Sequence, residues 1–408
     1  MHIGAVADDF TGATDLATTL TTRGFSAAVV IEDRPVDPAL LEGLDAVVVA
    51  LKTRTAPVAQ AVAESEAAID RLLGWGAERL YVKYCSTFDS TDEGNIGPVL
   101  DAAAARLGVD RTVVVPAFPA NGRTVEGGLL FVNGQLLEES PMRHHPLTPM
   151  TRSRLVELLT PQTRAALSEI PLATVRGGVE VLRAAIAAAP AGYLVVDAVA
   201  DDDLRTIAAA SGDLRLLSGG AGLAIGLTPA STGRADAFPR FAGRRLVVCG
   251  SASAATRGQV ADAREQGHPL RKVDVASALA DPAAEVAALA AWVRGLDADA
   301  VPVVYSVGEL ADVTADGGAS ASAVELVLSS LVATLAGEVD RVIVAGGETS
   351  GAVVKALGVD LLRIGPQLAP GVCWSAAVAE GGRELAIVLK SGNFGAVDLF
   401  SSAWEQLP

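Results

Sequence analysis

Residues 3–22 read IGAVADDFTGATDLATTLTT. The first five, Ile3 to Ala7, carry no polar side chain, the pattern of a short strand buried on both faces. Two carboxylates come next, at Asp8 and Asp9. From Thr11 to Thr22 the chain then reads as a helix whose N-terminus carries Thr11 and Gly12. The same strand-then-helix rhythm spreads outward from this unit. AAVVI (27–31), AVVVAL (46–51), RLYVKY (79–84), TVVVPA (112–117) and YLVVDA (193–198) read as further strands, with Ala-rich helical stretches at 57–73 and 93–107. Continuous apolar strands alternating with helices predict a largely parallel α/β sheet covered on both faces.

Residues 226–244, GLTPASTGRADAFPRFAGR, break the rhythm and read as a linker. Beyond them strands are expected at 245–251, 271–275, 301–306, 341–347, 361–367, 372–378 and 385–392, with helices at 252–267, 282–295, 320–337 and 349–357. The expectation is two α/β domains, 1–226 and 244–408. Ligands of such folds bind at the C-terminal ends of strands, and a cleft between the domains is the expected place.

Composition bounds the function. The 408 residues are 50% hydrophobic and 20% charged, which fits a well-buried globular enzyme and argues against disorder. The net charge of −16 disfavours nucleic acid and anionic membrane as partners. Only five of the 32 basic residues are lysines (Lys52, Lys83, Lys272, Lys355 and Lys390), so each is worth locating. Three dispersed cysteines offer neither metal-ligand spacing nor a disulfide framework, and the natural compartment is a reducing cytoplasm. The N-terminus lacks the basic start and long apolar run of a signal peptide, and no uninterrupted apolar run approaches the length of a membrane span.

Four stretches of the first half lie just after strands and carry chemistry. Asp8 and Asp9 suit a proton acceptor for a substrate hydroxyl, and a holder of magnesium or a sugar hydroxyl; capping of the helix is the plainer alternative. Lys52 and Arg54 offer two cations, and the arginine fork matches a carboxylate. Lys83 opens KYCSTFDSTDEGNIG (83–97), where Ser86, Thr87, Asp89, Ser90, Thr91, Asp92, Glu93 and Asn95 crowd within a few residues. That density suits polyol recognition, with Lys83 as a point charge for a carboxylate or phosphoryl group; a capping box from Ser90 to Glu93 is the alternative. Asn121, Arg123 and Thr124 of PAFPANGRT suit an anionic ligand, or a plain tight turn. The adjacent His144 and His145 of MRHHP point to opposite sides of an extended chain, so a two-histidine metal site is not expected, and no metal ligand set is assigned.

The second half holds three Gly-rich turns at strand ends: Cys249–Ser253 (CGSAS), Gly346–Gly351 (GGETSG) and Lys390–Gly395 (KSGNFG). Such turns aim backbone N–H groups and a helix dipole at phosphate, so three in one domain point to a nucleotide. A G-x-x-x-x-G-K-[ST] run is absent, and no G-x-G-x-x-G comes after the first strand, which removes support for a Walker-type ATPase and for an ordinary dehydrogenase.

In order along the chain, ADDFTGATDLA, KYCSTFDSTDEGNIGPV, NGRTV, MRHHP, GGETSGAVV and LKSGNFG resemble the four-carbon acid sugar kinases over nearly the whole length. STFDST, NGRT, MRHHP and SGNFG resemble the 3-oxo-tetronate 4-kinase branch, whereas threonate and erythronate kinases tend to carry a DSTLRG-like run in place of Cys85–Ser90. The resemblance implies an N-terminal acid-sugar domain, a C-terminal ATP domain and transfer of the γ-phosphate, with magnesium, to the terminal hydroxyl. It implies nucleotide contacts at Ser251, Ser253, Gly346, Gly347, Glu348, Thr349 and Gly392. Substrate contacts fall on Asp8, Asp9, Arg54, Lys83 and Ser86, with Asn121 and Arg123 added from the branch motif. Asp8, Asp9 and Lys83 are the expected catalytic groups, and either aspartate fits the base. The partners expected are the acid sugar and ATP, with homo-oligomerisation left open. A threonate or erythronate kinase, and a sugar-acid binding protein without catalysis, stand as alternatives.

Overall fold

The structure is a computed structural model that describes residues 1–32, 34–145, 148–229, 238–309, 312, 317–379 and 383–407. The expected linker falls partly outside these residues, as does Pro146 of MRHHP. The chain folds into two compact units, Met1–Ala235 and Asp236–Pro408.

The first unit contains β1 (Ile3–Ala7), β2 (Ala27–Ile31), β3 (Ala46–Ala50), β4 (Arg79–Lys83), β5 (Arg111–Val115), β6 (Arg123–Glu126), β7 (Leu129–Val132), β8 (Gln135–Leu136), β9 (Leu167–Ile170), β10 (Gly192–Val196) and β11 (Leu216–Gly219). Eight strands form a parallel sheet in the order β2-β3-β1-β4-β11-β5-β10-β9. Every residue of β1, β2 and β3 is buried, as continuous Val/Ala runs require of a sheet covered on both faces. The chain fills one side of β1 with β3 and β2, then crosses to the other side with β4. The β1/β4 seam is therefore a topological switch point, where the connecting loops diverge and leave a crevice. Ala7 pairs with Ala50 of β3 and Lys83 of β4, so Asp8, Leu51 and Tyr84 leave the sheet at one level. A separate antiparallel sheet, β6-β7-β8, carries the turn before Arg123.

The second unit contains β12 (Arg244–Cys249), β13 (Leu270–Lys272), β14 (Val303–Tyr305), β15 (Val339–Ala345), β16 (Leu361–Ala369), β17 (Val372–Ala379) and β18 (Arg383–Lys390). Their order is β13-β14-β12-β15-β18-β17-β16. The first five are parallel; β17 alone runs the other way, pairing antiparallel with β18 on one side and β16 on the other. Cys249 pairs with Tyr305 and Ala345, and Ala345 pairs with Lys390. The three Gly-rich turns thus begin at a common level, beside the β12/β15 switch point. The core beneath them holds Ile343, Val388, Phe400 and the Trp374–Trp404 pair, whose rings lie 5.5 Å apart.

The α/β expectation holds in both units. The expected strands did not include β11, which lies between β4 and β5, nor β9, nor the β6–β8 hairpin. The reversed direction of β17, antiparallel to both β18 and β16, is a further departure from a largely parallel sheet. Among the described residues one helix, Gly318–Leu335, is long and apolar enough by length and composition to cross a membrane, with 39% of it buried. It packs on helices Pro282–Arg294 and Gly347–Ala356, as a core helix does.

Candidate functional site

The first constellation stands at the switch point of the first unit. Asp9 caps helix Phe10–Thr22: its Oδ1 accepts from Gly12 N at 2.7 Å and its Oδ2 from Thr11 Oγ1 at 2.9 Å. Capping and a place in the site therefore coexist in one residue. Arg54 lays its fork on Asp8, with Nε to Oδ2 and Nη2 to Oδ1 both at 2.9 Å. Nη2 also lies 3.0 Å from Asp9 Oδ1, and Nη1 lies 3.9 Å from Asp89 Oδ2. Lys83 is 3% exposed; its Nζ donates to the Tyr84 carbonyl at 3.0 Å and stands near the first turn of the helix, 3.1 Å from where a Cβ on Gly12 would lie. Two cations and three carboxylates thus share the end of β1.

Burial and the Arg54 pairing set the charges. Burial pushes the Asp8 carboxyl above its ordinary value, and Arg54 opposes this incompletely. Burial also acts upward on Asp9, but Arg54, Lys83 and the Gly12 and Thr11 donors outweigh it and hold Asp9 below the ordinary range. Burial acts downward on Arg54, yet Asp8 and Asp9 raise it well above its usual value. Asp15, on the same helix, is buried with Oδ1 unpartnered and is pushed up to about 6 by burial, against the pull of Lys83.

The 85–97 loop is built to aim Asp89. Phe88 is buried with φ 54°, a left-handed conformation that a bulky residue adopts only when its surroundings impose it. It packs edge-on against Tyr84. Thr87 Oγ1 donates to Asp89 Oδ1 at 2.5 Å and contacts Cys85 Sγ at 2.9 Å. The Ser90–Glu93 capping box does not form. Ser90 Oγ instead accepts from Gln162 Nε2 at 2.8 Å, and Gln162 Oε1 accepts from Gly97 N at 3.1 Å. A Cβ on Gly97 would lie 2.6 Å from Gln162 Cβ, so glycine there permits the clamp. Asn95 Nδ2 donates to the Thr53 carbonyl at 2.7 Å and the Ala56 carbonyl at 2.9 Å, tying this loop to the one that carries Arg54.

Ser86 faces Gly220, whose Cβ position would be 3.4 Å from Ser86 Cβ and 2.8 Å from the Pro116 carbonyl. Asn121 ends a short 3-10 turn before Arg123 at the start of β6. Arg123 Nη1 donates to the Asn121 carbonyl, while its buried Nε has no partner. Among the described residues no hydrogen bond or ion pair links Asn121 or Arg123 to the Arg54 cluster. His145 Nδ1 is engaged locally by Thr148, with N at 3.1 Å and Oγ1 at 2.9 Å.

The second constellation gathers the glycine turns of the second unit. Ser253 caps helix Ala254–Glu265 through Thr256 N at 3.2 Å and donates to the Gly392 carbonyl at 2.5 Å. Ser251 Oγ accepts from Ser253 N at 3.2 Å. A Cβ on Gly392 would collide with the Ser251 hydroxyl, so the 392 turn must be glycine to lie this close. A Cβ on Gly346 would lie 3.0 Å from Thr349 Oγ1 and 3.3 Å from Ser251 N, which places the GGET turn beside the CGSAS turn. Gly347 and Glu348 are exposed. Glu348 and Thr349 line a cavity of about 340 Å³ with Gly250, Ser306, Val275 and Val324. A lining that mixes apolar side chains with a few polar ones suits a nucleoside and its phosphates. The structure thus brings Ser251, Ser253, Gly346, Thr349 and Gly392 together.

Four residues join these constellations in parts not expected from sequence: Gln162, Asn95 as a tether, Asp15 and Thr256; Lys390, at the start of the KSGNFG turn, joins as a buried cation. Lys390 gave a signal, being one of five lysines. Gln162 gave none.

Among the described residues no group of three His, Cys, Asp or Glu side chains could hold a metal ion. Magnesium bound through nucleotide phosphates needs only one or two protein carboxylates, so this donor set fits that mode and not an all-protein cage.

Residues 3–227 match a family model described as a sugar-binding N-terminal domain, and residues 246–400 one described as a nucleotide-binding C-terminal domain. A 3-oxo-tetronate kinase of Pseudomonas fluorescens is 45% identical, covering 99% of this chain and 97% of its own. One from Salmonella typhimurium is 43% identical, covering 100% and 99%. Among solved structures, a Salmonella typhimurium protein described as a putative tRNA synthase superposes with TM-score 0.91 at 42% identity, covering all of both chains. One from Haemophilus influenzae gives 0.82 at 36% identity, covering 99% of this chain and 100% of its own.

Proposed function

The chain belongs to the four-carbon acid sugar kinase family and is a carbohydrate kinase, and from that premise we propose that it transfers the γ-phosphoryl group of ATP to the terminal hydroxyl of a 3-oxo-tetronate. The full-length likeness to 3-oxo-tetronate kinases carries this reading. The first unit receives the acid and the second the nucleotide. With net charge −16, a tRNA-directed activity has no electrostatic support in this chain. Three cysteines that form no disulfide suit the reducing cytoplasm.

Asp9 orients the terminal hydroxyl and accepts its proton. It is held ionised, and among the described residues its Oδ2 takes a hydrogen bond from Thr11 alone. Asp8 has both oxygens occupied by Arg54, so its part is to hold Arg54 in place. Because Arg54 is taken up by aspartates, the substrate carboxylate falls to Lys83 and to Arg123, whose buried Nε lacks a partner. Ser86 and Asn121 supply donors and acceptors to the polyol. Ser251, Ser253, Gly346, Gly347, Thr349 and Gly392 receive the phosphates. Magnesium entering with ATP would be met by Glu348 and would neutralise charge on the phosphates. Phosphoryl transfer depends chiefly on positioning and charge neutralisation; Asp9 and the preset turns serve the first, and the backbone N–H groups of those turns serve the second.

The test is ADP release with ATP and, separately, 3-oxo-tetronate, threonate and erythronate. Fastest turnover per unit KM is expected with the 3-oxo acid. Preference for threonate or erythronate would move the chain to another branch, and ligand binding without ADP release would make it a binding protein.

A further inference from the structure

Lys390 ends β18 with its side chain fully buried, at 0% exposure. Its Nζ donates to Thr256 Oγ1 at 3.0 Å and to the Gly392 carbonyl at 3.2 Å, both neutral acceptors. Among the described residues no carboxylate forms an ion pair with it. The titratable group facing it is Cys249 on β12, a thiol that burial raises to about 12 and so keeps uncharged. β15 places Ala345 opposite it, and helix Ala254–Glu265 presents Thr256. An ammonium taken out of water without a counter-charge costs several kcal/mol. Such a site is balanced once an anion arrives.

The Gly392 carbonyl shows where that anion acts. Ser253 Oγ, Thr256 Oγ1 and Lys390 Nζ all point at it, at 2.5, 2.9 and 3.2 Å. The peptide is trans, so a carbonyl pinned inward turns the Asn393 N–H outward. The buried ammonium thus fixes an amide donor in the turn already assigned to phosphate and lends that turn positive charge.

We propose that Lys390 is a positioning residue for nucleotide phosphate, serving as the buried counter-charge beneath the CGSAS and KSGNFG turns. This rests on the second unit binding ATP. Burial lowers the Lys390 ammonium to about 8, so the lysine is charged at neutral pH and sheds its proton as pH rises past that value. An arriving polyphosphate favours the charged form, so nucleotide binding above that pH draws in a proton.

The experiment is calorimetric titration of the full chain with MgADP in buffers of different ionisation enthalpy. At about pH 8.5 the wild type should take up roughly half a proton or more, and close to none at about pH 6.5. Lys390→Met should lose that uptake and bind MgADP roughly 10–100-fold more weakly at pH 7, as loss of a charge-assisted contact implies. Lys390→Arg, which keeps its charge throughout, should bind with affinity flat from pH 7 to 9, and it stands in if the Met variant fails to fold. MgADP binding by the wild type without proton uptake, or uptake undiminished in Lys390→Met, overturns the proposal. No MgADP binding by the wild type would instead sink the nucleotide reading, and this proposal with it.

Discussion

The two units handle charge in opposite ways. At the end of β1 in the first unit, Arg54 touches Asp8 and Asp9 and faces Asp89, so its charge is spent within the protein. In the second unit Lys390 is buried against a hydroxyl and a carbonyl, and its charge is not spent. The contrast fits the two ligands. A small acid carries one negative charge, left to Lys83 and Arg123, and several hydroxyls that need fixed donors and acceptors. A polyphosphate carries several negative charges and rewards a cation left uncompensated.

The strongest way to break this comparison is Arg54→Met. It leaves three carboxylates at one strand end without their shared partner. Turnover should fall about 10³-fold, because Asp9, the proton acceptor, loses both the partner that holds it ionised and its fixed placement. Stability should fall by roughly 2–4 kcal/mol, short of the full buried-pair figure because the Arg54 side chain is 21% exposed. MgADP affinity should be unchanged, since that charge belongs to the other unit. Urea unfolding and calorimetry check both. Wild-type stability in this variant would mean the network is only a surface arrangement.

A narrower change is Asp9→Asn, which keeps the N-cap acceptor on Gly12 but removes the proton acceptor. Turnover should drop about 10²-fold with MgADP affinity intact. Asp8→Asn should act through Arg54 instead, lowering stability along with turnover. If Asp9→Asn turns over like the wild type while Asp8→Asn does not, the base assignment is reversed.

Gln162→Ala probes the polyol loop rather than the charges. It deletes donors to Ser90 Oγ and the Thr91 carbonyl and the acceptor for Gly97 N. KM for the acid should rise roughly tenfold with kcat little changed, alongside about 1–3 kcal/mol of lost stability. An unchanged KM would free Ser90–Gly97 from any part in binding the acid.

These residues also show how far sequence carries. Apolar runs ending in polar or glycine residues placed Asp8, Arg54, Lys83, Ser251, Gly346 and Gly392 at strand ends, because strand termination is local. β11 stayed hidden because four residues ending in Ser218-Gly219 are too short to look like a strand, though β4 and β5 pair with it on either side. Gln162 lies 65 residues from its partner Gly97, and nothing in its neighbourhood announces the clamp. The Arg54–Asp8 fork joins residues 46 apart, and only the β1–β3 register brings them together.

Asp15 gives the smallest expected effect on turnover and the clearest pH signature. It is buried on helix Phe10–Thr22 with one oxygen unpartnered. Burial raises its folded value from 3.8 to about 6, so the folded chain holds this proton more tightly than the unfolded chain. Between those two values the folded state binds more proton than the unfolded, and stability therefore falls as pH rises, with the full penalty present above about 6. At 1.36 kcal/mol per unit this penalty is at most about 3 kcal/mol. Asp15→Asn removes the charge and should unfold later than the wild type at pH 7, by up to that amount. The gain should shrink as pH falls through this window and vanish only below about pH 3, under both values, where the wild-type carboxyl is protonated in both states. A gain that does not vary with pH would show that the side-chain amide repacks the site rather than relieving a buried charge. A loss at pH 7 would mean that the Asp15 anion stabilises Lys83, which would give the first unit a second cation whose charge is spent inside the protein.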